Sequence, residues 1–437
     1  MNKIIKLTAL SAVILLASPS AMANFEYSGY LRAGVSTTSS GGEQFCFGDG
    51  GAGYYAGRLG NECDSYAELG LSKNFENEKG QVFAANTMLS VKTDQGAQAN
   101  DYQSLSEPIL SVPQNGAAEI ALRQLNVTAT GFIAPLPEAT LWAGKRYYKR
   151  KQVEAMDLYY LNNSGYGAGI ENINVSIGDL SLAYVNVQRE QISGKNNVFG
   201  ERSVQNNIFD LRLDGVSAFA EQKLDIALVY SQTDPTALQE ENNEADDAGF
   251  LFTTELYGSL FDFDNRLVLQ FANDALADAG FGNQSGLQPE TAAWWEGSLE
   301  SSWRIIDFGT YAVTEQINLD YVGYYAQGKT ITSDVPETKP SQWSVILTPS
   351  YKWDDNNQTK LELASTSYTP SFQKSSLDLQ KIMLAHDLSL DIGLTEKLTI
   401  RAYTGAFFGK QAEQVRTGDR AGEDNNIRFG VQALAAW

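Results

Sequence analysis

Hydrophobic and polar residues alternate along much of this chain with a period of two, which is typical of β-strands. From Phe25 to Ser36, the odd positions are mainly apolar, and the even positions include Glu26, Tyr30 and Arg32. The same alternation recurs over residues 67–71, 83–91, 209–214, 266–271 and 398–403. One face of each predicted strand therefore suits lipid. The other face repeatedly carries Arg, Asp or Glu and requires water.

The predicted connections between strands alternate between short and long. Short ones lie near 74–80, 262–265, 354–357 and 395–397, and long ones near 39–62, 93–119, 239–248, 280–291, 333–341 and 410–426. Outer-membrane barrels show this alternation because their periplasmic turns are short and their extracellular loops are long. A soluble β-sandwich also alternates, but its strands are usually shorter. The pattern favours an all-β fold, a transmembrane antiparallel β-barrel.

The length of the chain limits the number of strands. No change of composition divides residues 24–437, which we expect to form a single domain. At roughly 22 to 24 residues per strand with its share of the connections, this length predicts about 16 to 18 strands. A barrel of that size is wide enough for an aqueous channel.

The first residues carry the pattern of a secretory signal. Lys3 and Lys6 precede an apolar run over 7–16, and Ala-Met-Ala follows at 21–23. We therefore expect residues 1–23 to be a signal peptide that is removed on export. The run is too short for a membrane-spanning helix, which needs about 20 apolar residues. Because no longer apolar run follows, any crossing of the membrane requires a closed barrel.

Composition excludes several classes of function. The formal net charge of −21 disfavours binding to nucleic acid. Cys46 and Cys63 are the only cysteines, and in an exported chain we expect them to form one disulfide that closes a short loop. A metal site lacks ligands, since His386 is the only histidine. No nucleophile motif of the G-x-S-x-G type is present, so we predict no catalytic residues, no metal and no cofactor.

One stretch, WAGKRYYKRKQVEAMDLYY over Trp142–Tyr160, combines basic residues with tyrosines in an otherwise acidic chain. Its basic members are Lys145, Arg146, Lys149, Arg150 and Lys151. Such a mixture is hard to bury and unusual on a plain surface. It predicts a segment that enters and lines a narrow water-filled passage.

This stretch and several others resemble the maltoporins, which are sugar-selective porins of the bacterial outer membrane. The matching segments are GGEQFCF at 41–47, RLGNECDSYAEL at 58–69, WAGKRYYKRKQV, DLYY at 157–160 and SGYGAGIENINV at 164–175. Weaker similarity continues to the last strand. The resemblance implies an 18-stranded barrel, assembled as a homotrimer in the outer-membrane lipid, whose third loop folds inward to constrict the pore.

The resemblance also implies roles for individual residues. Tyr30 and Tyr66 match aromatic rings that stack on sugars, and Tyr159 matches a tyrosine of the constriction. The residues that match the charged track are Arg32, Arg58, Glu68, Arg123, Arg150 and Asp157. Tyr102 matches, more loosely, a ring that a neighbouring subunit contributes. Arg123 shares the parity of apolar positions on its strand, so it reaches the lumen only if a β-bulge or an interface position intervenes.

Some positions depart from the maltoporin pattern. Gln152 stands where the charged track usually has an aspartate. Three positions of the aromatic slide fall on residues without rings, Asp264, Thr395 and Ala436. Phe263 is adjacent to the first of these, and Tyr403 faces the predicted lumen near the second. Because a lost stacking ring costs roughly 0.5 to 1.5 kcal/mol, these departures predict weaker selectivity for oligosaccharides.

Three functions are compatible with these observations. The first is a porin for passive, facilitated diffusion of sugars, with maltose and maltodextrins as the expected solutes. The second is a related porin for other sugars or small solutes, with weak, cation-favouring selectivity that the acidic lumen and loops would produce. The third is a soluble periplasmic sugar-binding or hydrolytic β-protein, which would need no lipid-facing band.

Overall fold

The chain forms a closed β-barrel. The computed structural model describes residues 25–39, 41, 45–49, 51–62, 64–94, 119–190, 203–241, 248–260, 263–285, 288–290, 299–330, 339–370, 376–390, 398–417 and 427–437. The strands are β1 (Phe25–Thr38), β2 (Asp64–Glu76), β3 (Val82–Asp94), β4 (Glu119–Thr130), β5 (Thr140–Arg146), β6 (Lys151–Val153), β7 (Leu158–Leu161), β8 (Gly165–Asn174), β9 (Asp179–Glu190), β10 (Ser203–Ser217), β11 (Lys223–Asp234), β12 (Gly249–Leu260), β13 (Phe263–Asn273), β14 (Asn283–Ser285), β15 (Gln288–Glu290), β16 (Leu299–Ala312), β17 (Ile317–Thr330), β18 (Ser341–Lys352), β19 (Asn357–Thr369), β20 (Leu377–Leu390), β21 (Leu398–Phe408) and β22 (Arg428–Ala436).

Eighteen of these strands form one sheet, in which each strand pairs antiparallel with its neighbours. The sheet closes because β1 pairs with β22 as well as with β2. At this seam, Tyr30 lies opposite Glu68 on one side and Ala436 on the other. The predicted barrel is confirmed, with the 18 strands that the resemblance implied. Two pairs of short strands, β6–β7 and β14–β15, lie outside this sheet.

The alternation in the sequence separates the two faces of the wall. On β10, Phe209 is 48% exposed on the outside, whereas Asp210 and Arg212 are each 1% exposed on the inside. Arg212 Nε and Nη2 donate to Asp210 at 2.8 and 2.7 Å. Charged groups are buried on the lumen side in such pairs because an unpaired charge there would be costly.

Among the described residues, loops fold into the lumen after β1, β5 and β13. The loop between β5 and β8 carries the hairpin β6–β7, and the 3-10 segment Glu154–Met156 joins its two strands. In the loop after β1, the Phe47 ring stacks on Phe407 of β21 at 4.6 Å. In the loop after β13, Phe281 accepts a hydrogen bond from the Tyr324 hydroxyl at 2.6 Å. The lumen is therefore narrowed by side chains and loops rather than left open.

The helical segments of the described part are short. The α-helices are Ala237–Glu241 and Lys410–Thr417, and the other 3-10 segments are Phe47–Asp49, Gly51–Ala56, Asp274–Leu276 and Asp278–Gly280. In these described ranges, no helix is long and apolar enough to cross a membrane.

The barrel ends on an aromatic residue at the rim. The Trp437 backbone N–H donates to the Gly29 carbonyl at 3.0 Å. A Cβ atom at Gly29 would lie 2.2 Å from the Trp437 indole ring, so only glycine allows the ring to lie there. Phe429 and Val431 of the last strand are 46% and 47% exposed, as expected for its apolar face.

Candidate functional site

The inward loop between β5 and β8 directs its side chains to two sides. Lys149 and Lys151 contact the barrel wall, where Lys149 Nζ lies 2.7 Å from Asp214 Oδ2 and Lys151 Nζ contacts both Asp225 and Glu255. Arg150 lies between these lysines in the sequence and contacts tyrosine rings of the same loop instead. The two lysines hold the loop in place.

Backbone groups of the inward loop are also bound to the wall. The Tyr160 carbonyl accepts hydrogen bonds from Arg304 Nη2 at 2.9 Å and from Gln270 Nε2 at 2.7 Å. The Tyr160 hydroxyl donates to Glu255 Oε2 at 3.0 Å. These buried contacts, together with the lysine pairs, fix the loop across the lumen.

The expectation that the whole basic stretch lines the passage is wrong for one residue. Lys145 of β5 pairs with Leu125 and Tyr166, which are 54% and 56% exposed on the outer face. Its Nζ atom lies 5.5 Å from the centroid of the Tyr166 ring and donates to the Leu122 carbonyl. Strand alternation places Lys145 outside the barrel, because the strand has not yet ended there.

Two predicted aromatic residues lie side by side on the lumen face. The ring centroids of Tyr30 on β1 and Tyr66 on β2 are 6.2 Å apart. Arg58 Nη2 donates to the Tyr30 hydroxyl at 3.1 Å, and the Tyr66 hydroxyl donates to Glu68 Oε1 at 2.6 Å. Each ring is therefore accompanied by a charged group.

The loop after β1 completes this side of the site with a group of ion pairs. Glu62 Oε1 accepts from Arg32 Nη1 at 2.7 Å and from Arg58 Nε at 2.6 Å. Arg32 also pairs with Asp64. The Arg58 backbone N–H donates to the Ala155 carbonyl of the inward loop at 2.9 Å, so the two loops meet here.

Neighbouring charges keep Glu62 and Arg58 ionised although both side chains are partly buried. Burial opposes the charge on Glu62, but Arg58 and Arg32 lower its pKa below the ordinary value. Burial likewise opposes the charge on Arg58, and Glu62 and Asp157 raise its pKa. Burial raises the pKa of Tyr159 to about 12, so its hydroxyl stays protonated and can donate.

Glu68 connects the wall to the inward loop. Its Oε1 atom accepts from the Tyr147 hydroxyl at 2.7 Å as well as from Tyr66. The same Tyr147 hydroxyl accepts a hydrogen bond from Arg123 Nε. Tyr147 lies at the start of the inward loop, so this hydroxyl joins three elements of the barrel.

Arg123 reaches the lumen through a bulge. The pairing of β3 with β4 shifts between Met88, which lies opposite Gln124, and Leu89, which lies opposite Leu122. Arg123 is the extra residue, and the shift frees it from the parity of the exposed Leu125. Of the two alternatives that the parity of Arg123 left open, a β-bulge or an interface position, the bulge is present.

Arg150 is stacked between two tyrosines. Its guanidinium carbon lies 3.5 Å from the centroid of the Tyr147 ring and 4.9 Å from that of Tyr159. Asp157 has a left-handed backbone with φ of 54°, at the turn that leads into β7. We call Tyr30, Arg58, Tyr66, Glu68, Tyr147, Arg150 and Tyr159 the constriction cluster.

Sequence reasoning missed three residues of this region, Glu62, Asp64 and Tyr147. Each lies inside a segment that carries the family resemblance, but none had a signal of its own. Glu62 and Asp64 flank a cysteine in a connection, and Tyr147 is one of several tyrosines. Only the folded loops show which of these side chains face the lumen.

The two aromatic residues near the departures from the maltoporin pattern do not supply the missing rings. Phe263 packs on the outer face against Tyr311 and Tyr321, at centroid distances of 5.3 and 5.4 Å. Tyr403 faces inward as predicted, but it is only 8% exposed because the loop after β1 covers it at Gly60. Neither ring is available to a solute in the lumen.

Tyr102, Cys63 and Thr395 lie outside the described residues. The disulfide between Cys46 and Cys63 therefore stays a prediction. Gln152 lies opposite Tyr159 in the β6–β7 hairpin, and Ala436 lies beside Tyr30.

The described residues contain no group of three or more His, Cys, Asp and Glu side chains that could hold a metal ion. His386 lies on β20, where its Nδ1 atom is 3.0 Å from Thr359 Oγ1. Its strand neighbours Leu384 and Leu388 of the same parity are 47% and 52% exposed, which places the histidine on the outer face.

A closed antiparallel barrel whose lumen is narrowed by inward loops and lined with ion pairs is a channel of the bacterial outer membrane, that is, a porin. A model of the LamB porin family matches residues 25–437. The chain belongs to the LamB porin family and is a channel rather than an enzyme. The alternative of a soluble periplasmic protein is excluded.

The chain is also similar to individual known proteins. The chain is 33% identical to a maltoporin of Hahella chejuensis (strain KCTC 2396) over 437 residues, which covers 98% of this chain and 96% of that protein. Among solved structures, it is similar to OccAB2 of Acinetobacter baumannii, with 10% identity, a TM-score of 0.49 and coverage of 95% and 98%. It is also similar to OmpF of Salmonella typhi, with 8% identity, a TM-score of 0.47 and coverage of 94% and 97%.

Proposed function

We propose that this porin gives passive, facilitated diffusion of sugars, with maltose and maltodextrins as its preferred solutes. The observation that carries the proposal is the constriction cluster, in which Tyr30, Tyr66 and Tyr159 lie beside ionised groups. A pyranose ring has an apolar C–H face and a rim of hydroxyl groups. Aromatic rings match the face, and charged donors and acceptors match the rim with the stronger class of hydrogen bond.

The mechanism needs no moving part and no energy source. A sugar that stacks on Tyr30 and Tyr66 can exchange hydroxyl contacts with Arg58 and Glu68. It then passes Arg150 and Tyr159 at the inward loop. Because each contact is weak and the next one is near, the solute moves down its gradient without being trapped.

Swelling of proteoliposomes tests the preference. Vesicles that contain the protein are diluted into isotonic maltose or sucrose, which have the same mass, and the fall in turbidity is followed. Faster swelling in maltose is expected, and protein-free vesicles give the background rate. Equal rates for the two disaccharides would contradict the maltose preference, and no swelling in either would contradict sugar permeation.

A second candidate is a porin for other sugars or small solutes with weak, cation-favouring selectivity. The observation in its favour is the lack of rings at Asp264 and Ala436, which neither Phe263 nor Tyr403 replaces. The reversal potential in a salt gradient tests its ion preference. Equal swelling in maltose and sucrose, combined with a cation-selective reversal potential, would favour this candidate.

We also propose a homotrimer that packs through the wall around the seam of the barrel. Here the outer face carries small side chains such as Ala33 on β1, Ala67 on β2 and Ala402 on β21. On the opposite side, aromatic rings form pairs, for example Tyr184 with Phe209 at 5.4 Å and Trp303 with Tyr325 at 5.2 Å. Small residues suit close packing of subunits, and aromatic belts suit lipid. A change of Ala67→Trp should dissociate the trimer on a native gel.

The remaining features of the proposal concern processing and loops. Residues 1–23 are removed on export, and 24–437 form the mature domain. Cys46 and Cys63 form a disulfide in the loop after β1, and Tyr102 adds a ring to the pore of a neighbouring subunit. Intact-mass measurement with and without reduction and alkylation tests both the removal of residues 1–23 and the disulfide.

A further inference from the structure

A row of three residues on the far wall of the lumen places an arginine between two aromatic rings. Tyr257 on β12 lies opposite Arg266 on β13, and Arg266 lies opposite Phe308 on β16. In the order of the 18 strands, these three lie about half-way around the barrel from Tyr30 and Tyr66.

Contacts with the inward loop show that the row faces the lumen. Lys151 Nζ lies 6.0 Å from the centroid of the Tyr257 ring, and the Phe308 ring lies 6.3 Å from that of Tyr160. The row is on the periplasmic side of the loop, since Arg266 is close to the start of β13, which follows a short turn.

The row is open to the lumen. The Arg266 side chain is 48% exposed, and its guanidinium carbon lies 5.2 Å from the centroid of the Tyr257 ring. Tyr257 and Phe308 are both partly exposed. Of the lumen-facing aromatic residues on the described barrel strands, these two and Tyr30 and Tyr66 are the ones that are not buried.

Polar groups surround the row with both donors and acceptors. Arg266 Nη1 pairs with Glu255 at 2.7 Å, and the guanidinium keeps further N–H groups for a solute. Asp264, two residues nearer the periplasm on the same strand, is exposed. Thr310 and Asp320 form a hydrogen-bonded pair of 2.6 Å in the next row. Rings, a guanidinium and a carboxylate within one small area match one pyranose ring.

We propose that Tyr257, Arg266 and Phe308 form an exit site, a second sugar-contact site that receives the solute after the constriction cluster. It serves the part of the pathway where the expected ring at Asp264 is absent. Its ligand class is a neutral pyranose, stacked on Tyr257 or Phe308 and hydrogen-bonded to Arg266 and Asp264. The inference rests on the proposed function, since it names a further contact for the same solute.

Sugar block of the ion current in planar bilayers tests the exit site. Maltohexaose is added to one side at a time, and the binding constant and dissociation rate are obtained from the current noise. The variants Tyr257→Ala and Phe308→Ala should each lower the binding constant threefold to tenfold and raise the dissociation rate. Phe263→Ala is the matched control, because it removes a ring from the outer face of β13, the strand that lies between those of Tyr257 and Phe308, and should leave the block unchanged.

Two conservative variants separate loss of stacking from loss of folding. Tyr257→Phe and Phe308→Tyr keep a ring and should retain the block to within twofold. Block in the alanine variants equal to that of the wild type would overturn the exit site while leaving the proposed function intact. No block of the wild-type channel by any sugar would overturn both. Equal losses for the alanine variants and for Phe263→Ala would also overturn it, because the effect would then come from the barrel wall.

Discussion

The guanidinium carbon of Arg150 lies 3.5 Å from the centroid of the Tyr147 ring. Tyr147 therefore does two things in the constriction cluster. Its ring supports Arg150, and its hydroxyl joins Glu68 to Arg123. The position of three charged groups that face a solute depends on this one tyrosine.

Replacing Tyr147 by Phe should separate these two roles. The ring under Arg150 remains, whereas the hydrogen bonds to Glu68 and Arg123 are lost, which costs about 0.5 to 1.5 kcal/mol for each bond. We expect sugar block to weaken by about threefold to tenfold with little change in single-channel conductance. Tyr230→Phe, on the outer face, is the control. A large rise in conductance for Tyr147→Phe would show that the hydroxyl, rather than the ring, keeps the passage narrow.

Tyr159→Ala should widen the passage and weaken sugar binding together. The ring contacts Arg150 at 4.9 Å in the inward loop, so its removal leaves space and frees the guanidinium. Larger single-channel conductance and weaker block by maltohexaose are expected in planar bilayers. Unchanged values of both quantities would remove Tyr159 from the constriction.

Lys151→Met should loosen the inward loop. The lysine pairs with Asp225 and with Glu255, whose side chain is fully buried, so its removal leaves a buried carboxylate with only Arg266 as an ion-pair partner among the described contacts. Removing one partner of a buried ion pair lowers the free energy of unfolding by about 3 kcal/mol. We expect a lower unfolding temperature and a noisier open-channel current.

The pair Lys352 and Asp355 provides the matched control for this prediction. It is an ion pair at 2.7 Å in which the Asp355 side chain is 93% exposed, so Lys352→Met should change little. Adding Glu255→Gln to Lys151→Met removes the buried carboxylate charge that has lost one of its two ion-pair partners, and should recover part of the lost stability. A Lys151→Met protein as stable and as quiet as the wild type would show that the lysine does not hold the loop.

Alternation predicted the wall because lipid and water face opposite sides of every strand. Tyr30 and Tyr66 could be placed in the lumen from parity alone. The parity of Arg123 called for a bulge or an interface position, and the structure has the bulge. Parity says nothing about what a loop covers. Tyr403 has the right parity but lies under the loop after β1.

The inward loop was harder to interpret from its sequence, because its basic residues serve different purposes. Arg150 faces the tyrosines, Lys149 and Lys151 face the wall, and Lys145 is outside. Their partners Asp214, Asp225 and Glu255 are far away in the chain, so only the closed barrel brings them together. The exit site was missed for the same reason, since its three residues come from three strands.

The pH dependence of the channel follows from Glu62. Because its pKa is lowered in the folded protein, its contribution to stability is fully present above the pKa of an unfolded glutamate, about 4.3. That contribution is lost as the pH falls through the lower folded value. We expect conductance and sugar block to be constant from pH 8 to pH 5 and to change only below about pH 4. A transition near pH 6 would contradict the claim that Glu62 stays ionised in its ion pairs with Arg32 and Arg58.

Titration of the wild-type channel with maltohexaose in planar bilayers tests the central claim most directly. The constriction cluster predicts that the ion current falls with sugar concentration and saturates in the millimolar range, with a weaker effect of sucrose. A current that flows freely in salt and is unaffected by either sugar at those concentrations would contradict a sugar-binding passage. The assignment of the fold as a β-barrel would not be affected.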